Sequence, residues 1–136
     1  MNKEQILEEA RIYRMLSNDL KDSWLKVLRW RKISQAELSR RTGLSERTIS
    51  QIINGERIGT VDSIVMMCLA ANLPGDISEH LIKLSGNVFL MTNEEHVMYK
   101  YVLWQKYELS LAEIRQFLYE IGAEIYMKFP QYPCEC

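Results

Sequence analysis

Apolar side chains recur along this chain at intervals of three and four, and no segment alternates apolar with polar over the length of a strand. Ile6, Ala10, Tyr13, Leu16, Leu20, Trp24, Val27 and Leu28 form one such stripe. A period near 3.6 marks helices with one face turned to a core. The stripe is long for one helix, and Asn18-Asp19 or Asp22-Ser23 offers a break with a fresh N-cap. Two helices are therefore predicted, near 3–18 and 21–32.

Further on, four segments read as capping boxes: Ser34…Glu37, Asp76…Glu79, Thr92…Glu95 and Ser110…Glu113. In each, the first side chain accepts from an orphan N–H while the Glu reaches back to the cap's own N–H. Gly43, Gly55, Gly86 and Gly122 follow helical stretches, where a left-handed residue ends a helix, and Pro74 and Pro130 lie just beyond others. The predicted helices continue near 35–42, 46–53, 61–72, 77–85, 93–107 and 111–127. The fold class is all-α. Residues 61–73 (VDSIVMMCLAANL) are almost continuously apolar and predict a central buried helix, with Met66 and Met67 as core filler.

The chain has 136 residues, 47% of them apolar and 26% charged, which fits a folded protein and not a disordered one. No apolar run reaches the roughly 18 residues that span a bilayer, and the charged start MNKEQILEEARIYR lacks the apolar core of a secretory signal. These readings predict a cytoplasmic protein. The net charge of −1 is unevenly placed. Residues 22–60 carry Lys26, Arg29, Arg31, Lys32, Arg40, Arg41, Arg47 and Arg57 against Asp22, Glu37, Glu46 and Glu56. That basic stretch within an acidic remainder points to a local anionic partner.

The stretch 34–55, SQAELSRRTGLSERTISQIING, explains the charge. A short helix with Ala36 and Leu38 as its apolar positions is stopped by Gly43, and Ser45 caps a second helix. That second helix places Ile49, Ile52 and Ile53 on a narrow arc. Arg47, Gln51 and Asn54 occupy the opposite arc, with Ser50 at its edge and Glu46 in the first turn. The major groove admits one helix, and side chains of these types read base edges there. The N–H groups that open the first helix suit a phosphate.

In the register Gln35, Leu38, Ser39, Gly43, Leu44, Ser45, Thr48, Ile49, Ser50, Ile52, Asn54 and Gly55, the sequence resembles the Cro/repressor-type (XRE) helix-turn-helix family. The resemblance extends over about residues 22–86, from Arg29 in the preceding helix to the closing LIKLSG. It implies a five-helix, lambda-repressor-like domain that binds double-stranded DNA. Position by position, it implies that Glu46, Arg47, Ser50 and Gln51 face base edges. Gln35, Ser45 and Asn54 would meet phosphates, with Arg40, Arg41 and Arg57 adding positive charge to the phosphate contacts.

On this reading the chain divides into an N-terminal helix (1–20), the DNA-binding domain (21–87), a C-terminal helical hairpin (88–129) and a tail (130–136). The hairpin carries Tyr99, Tyr101, Trp104, Tyr107, Phe117, Tyr119 and Tyr126. Two uses of those rings compete: intramolecular packing, and a surface for a homodimer or another protein, since a palindromic site needs a two-fold partner. The helix 3–18 is a second candidate for that interface. The expected function is a sequence-specific regulator, a repressor by occupancy, with an antitoxin-like or adaptor protein as the alternative.

No catalytic arrangement is predicted. GERIGT lacks the spacing of a phosphate loop, and the adjacent pairs Glu8-Glu9 and Glu94-Glu95 diverge on their helices. No cofactor is expected. Cys134 and Cys136 form a terminal C-x-C without a nearby Cys or His, His80 and His96 lack ligand spacing, and Cys68 sits in an apolar run, so no metal site is predicted either.

Overall fold

A computed structural model describes residues 1–131. Within them the chain is all helical. The order is α1 (Lys3–Met15), α2 (Leu20–Arg31), α3 (Gln35–Thr42), α4 (Glu46–Ile53), α5 (Val61–Ala70), α6 (Gly75–Leu84), α7 (Glu94–Gln105) and α8 (Leu111–Glu120), followed by a 3-10 turn over Glu124–Lys128.

The apolar run of α5 becomes the centre of the molecule, as its sequence predicts. Every residue from Ile64 to Ala70 is buried, Met66 and Met67 among them. Helices α3, α6, α7 and α8 all pack on it. Around it Trp24, Val27, Leu38, Ile49, Ile53, Leu81, Tyr99, Leu103, Leu118 and Phe129 join one core that runs from Ile12 to Phe129. Each large apolar side chain so buried contributes about 1.5–3 kcal/mol. The C-terminal segment is tied to that core by polar bonds as well. Tyr99 Oη donates to Asp62 in the first turn of α5 at 2.5 Å, and Lys128 bridges Asp62 and Glu95.

Asn72 is a second junction. It adopts a left-handed φ of 56°, and its carbonyl accepts both Nε and Nη2 of Arg31 at 3.1 and 2.7 Å. Its own amide donates to the carbonyl of Tyr107 at 2.9 Å. One loop residue thereby joins α2, the end of α5 and the α7–α8 connection.

Several predicted boundaries shift. The first helix ends at Met15, three residues early, because Leu16 is extended and Asp19 caps α2 through the Asp22 N–H. Its expected stripe is not buried: Ile6 and Tyr13 are exposed, whereas Ile12, off the stripe, is the one buried residue of α1. Polar bonds hold this helix instead, from Tyr107 Oη to Glu9 at 2.8 Å and from Lys26 Nζ to the Met15 carbonyl at 2.9 Å. At the other end α8 stops at Glu120, short of the predicted 127. Gly122, at φ 77°, turns the chain into the 3-10 segment.

Of the four predicted capping boxes, the Ser110–Glu113 box is complete. At α6 Pro74 takes the cap position and Asp76 lies inside the first turn. At α7 Asn93, not Thr92, accepts from the N–H groups of Glu95 and His96. Ser34 caps α3, but Glu37 turns to arginines rather than back to the cap. A box between Asn2 and Gln5 opens α1, where two amides stand in for the usual Ser/Glu pair.

Candidate nucleic-acid interface

The turn between α3 and α4 is built from short-range bonds. Ser34 Oγ accepts from the Glu37 N–H at 3.0 Å and starts α3. Gly43 ends it at φ 80°, a conformation that costs a residue with a Cβ roughly 1–2 kcal/mol. Ser39 Oγ donates to the Leu44 carbonyl at 2.6 Å, and Thr42 Oγ1 accepts from the Leu44 N–H at 3.1 Å. Ser45 then caps α4, accepting from the Thr48 N–H at 3.1 Å and donating to Thr48 Oγ1 at 2.9 Å. At the junction itself three hydroxyls, of Ser39, Thr42 and Ser45, thus satisfy backbone groups that two abutting helix ends leave open.

Helix α4 is fixed by its apolar arc. Ile49, Ile52 and Ile53 are at most 1% exposed. Gly59 passes close to the helix: a Cβ there would meet Ile52 Cδ1 at 3.0 Å and Ile64 Cγ1 at 3.2 Å, so the two isoleucines would have to give by a few tenths of an ångström. With that face anchored, Glu46 and Arg47 are exposed and Ser50 and Gln51 are half-buried on the outer side. Asn54 is exposed at the C-cap, its Nδ2 donating to Ser50 Oγ at 3.2 Å. Arg57 is exposed in the loop, whose N–H groups at Glu56 and Arg57 return to the Gln51 carbonyl. Neither Arg47 nor Arg57 forms an ion pair among the described residues.

Gln35 is half-buried in the first turn of α3, one residue after the cap, and Ser45 opens α4 beside the turn. Both therefore stand at helix N-termini, where unpaired N–H groups and the positive end of the dipole favour anions.

Arg40 and Arg41 are placed differently. Glu37 Oε1 accepts from Arg41 Nε at 2.9 Å, and both Glu37 oxygens accept from Arg40. These two arginines pull the Glu37 carboxyl down to about pKa 2. Arg41 also donates from Nη1 to the Ala70 carbonyl at 2.8 Å. Both arginines line a cavity of about 410 Å³ shared with the N-terminus of α8, which neither Gln35 nor any α4 residue lines. The sequence pattern alone assigns Glu37 a capping role with Ser34. Its spacing of three and four residues from Arg40 and Arg41 was the signal for the clamp. Ala36, predicted apolar-inward, faces solvent.

The family comparison completes this geometry. The helix-turn-helix family model matches residues 26–76. The chain carries a Cro/repressor-type helix-turn-helix domain. The match begins within α2 and ends in the first turn of α6, so the domain takes in the capped pair α3–α4 and the central α5. A helix-turn-helix domain of this type binds DNA, and the match supports a DNA-binding role for residues 26–76. No curated protein and no solved structure matches the chain significantly.

No group of three or more His, Cys, Asp or Glu side chains that could hold a metal occurs among the described residues. Cys134 and Cys136 lie outside them. Cys68 is fully buried on α5, and burial pushes its thiol up to about 12. No helix among the described residues is long and apolar enough to cross a membrane.

Proposed function

We propose that this protein is a cytoplasmic transcriptional repressor that occupies an operator, with α4 lying in the major groove and two copies reading a two-fold site. The observation that carries this reading is the polarity of α4. Three isoleucines lock one arc into the core, and Glu46, Arg47, Ser50 and Gln51 occupy the other. Each matches a base edge: Arg pairs with the O6 and N7 of guanine, Gln with the N6 and N7 of adenine, Glu with the amine of cytosine, and Ser with either donor or acceptor.

Gln35, Ser45, Asn54 and Arg57 would hold the flanking phosphates and set the register of the helix. Arg40, exposed on one side of its pair with Glu37, would add charge. Arg41 belongs to the frame that holds α3 on α5. Repression follows from occupancy, since nothing beyond a bound duplex is required.

An adaptor role is the second reading, favoured by the exposure of Tyr101, Trp104 and Tyr119 on the C-terminal helices. Salt separates the two. For the regulator, the logarithm of duplex affinity falls linearly with the logarithm of salt concentration, with a slope of about −0.9 per phosphate neutralised. A slope near zero contradicts it and leaves the adaptor.

A further inference from the structure

Lys32 closes α2 in the left-handed region, at φ 57° and ψ 42°. A Cβ crowds the following carbonyl there, whereas glycine adopts the same conformation without strain. The Lys32 N–H donates to the Arg29 carbonyl at 3.2 Å and the Ile33 N–H to the Leu28 carbonyl at 3.0 Å. These bonds make an ordinary helix end, at which glycine is the usual residue, and none of them calls for a lysine. The other left-handed non-glycine residue among the described ones is Asn72, whose side-chain amide offsets the strain with its bond to the Tyr107 carbonyl. Lys32 has no such return: it is exposed and reaches no carboxylate among the described residues. A cation does suit the negative end of a helix dipole, but Arg29 and Arg31 already supply two in the last turn of α2. Strained residues that give nothing back to the fold concentrate at functional sites.

The surroundings of Lys32 say what its charge meets. It lines a shallow groove of about 490 Å³ together with Arg29, Ser34 and Gln35. Arg29, one turn back on α2, is also exposed and without an ion pair among the described residues. On its other side Lys32 borders a cleft shared with α1, whose carboxylates there are engaged: Glu8 accepts from Trp30 and pairs with Arg11, and Glu9 accepts from Tyr107. Two unpaired cations therefore stand beside Gln35, the side chain expected to meet a phosphate at the start of α3.

We propose that Lys32 is a phosphate anchor, holding the DNA strand that passes the start of α3, next to the phosphate that Gln35 meets. The contact comes from the end of α2, outside the α3–α4 pair, and Arg29 strengthens the field around it. Its partner is the phosphodiester backbone and not a base edge, because an ammonium acts as a point charge and a backbone contact carries no sequence information. The proposal rests on the duplex-binding reading above.

Salt titrations of the full chain on a panel of duplexes test it. Lys32→Gln lowers the magnitude of the log-log slope by about 0.9, the share of one phosphate, and weakens binding about eightfold at 0.1 M salt on every sequence alike. Lys32→Arg keeps the wild-type slope. Lys21→Gln, which removes an exposed charge near the other end of α2, keeps it too. Lys32→Gly relieves the backbone, so it raises the urea midpoint while losing the same phosphate. A residue that merely capped α2 would do the reverse, losing stability with the slope intact, and that result would overturn the proposal. So would a Lys32→Gln slope equal to the wild type, a loss confined to one base position, or an equal loss in Lys21→Gln. Wild-type binding indifferent to salt would overturn the regulator reading along with this one, so the two failures are told apart by the wild type alone.

Discussion

Arg41 of the first motif helix donates to the carbonyl oxygen of Ala70, the last residue of the central helix, at 2.8 Å. An arginine in a DNA-binding motif is thereby spent on joining α3 to α5. Arg41→Ala leaves that carbonyl and Glu37 short of a donor, and is expected to lower unfolding stability by about 1.5–3 kcal/mol. The salt slope of duplex binding should stay at its wild-type value. Urea unfolding reads the first quantity and a salt titration the second. A lost phosphate contact with intact stability would return Arg41 to the DNA face.

Glu37 gives the same clamp a pH dependence. Arg40 and Arg41 hold its carboxyl at about 2, below the ordinary 4.5. A depressed carboxyl stabilises the folded state above the unfolded value, and that contribution disappears as pH falls through the folded value. The melting temperature of the wild type should therefore exceed that of Glu37→Gln at neutral pH. The gap should begin to close below about pH 4.5 and vanish near pH 2. Parallel melting curves from pH 2 to 7 measure it, and a constant gap would deny the clamp.

How much of this could be read from residues alone follows from the range of each interaction. Ser34, Gly43 and Ser45 act on backbone groups within four residues, so the ends of α3 and α4 were visible in the sequence. Ile49, Ile52 and Ile53 were equally plain, because an apolar arc has only one way to face. The failures involve distant partners. Nothing local says that Tyr107 holds Glu9, and the stripe predicted for α1 is covered only in part, with Ile6 and Tyr13 exposed and Ala10 half-buried. Arg40 and Arg41 look like free positive charge until Ala70 and Glu37 are placed beside them. Capping of α7 by Asn93 rather than Thr92 is a one-residue choice between two competent side chains.

Gly75 opens α6 beneath the Trp104 indole, so close that a Cβ would overlap Trp104 Cγ and Cδ2. The contact lies near the root of the ring, so the whole side chain must move and its bond to Glu79 is lost. Gly75→Ala is expected to cost about 1–3 kcal/mol and to shift tryptophan emission to the red. Gly75→Ala in a Trp104→Ala background should cost far less. Chemical unfolding of the four proteins gives the coupling directly.

Gln35 stands at the N-terminus of α3 and reaches no base in the proposed docking. Gln35→Ala should weaken binding to every duplex by about the same factor, without altering the order of preference or the unfolding stability. Equilibrium binding to a panel of duplexes differing in single base pairs checks this, and a loss confined to one base position would place Gln35 in the reading surface.

The central claim is that the outer arc of α4 reads base edges, and Gln51 tests it most directly. Selection from random duplexes by the wild type and by Gln51→Ala compares the two preferred sites base by base. The account predicts that one position in each half-site loses its preference, costing about 1–3 kcal/mol of discrimination there, with non-specific affinity nearly unchanged. An identical preferred site, or an equal loss on every sequence, would contradict it.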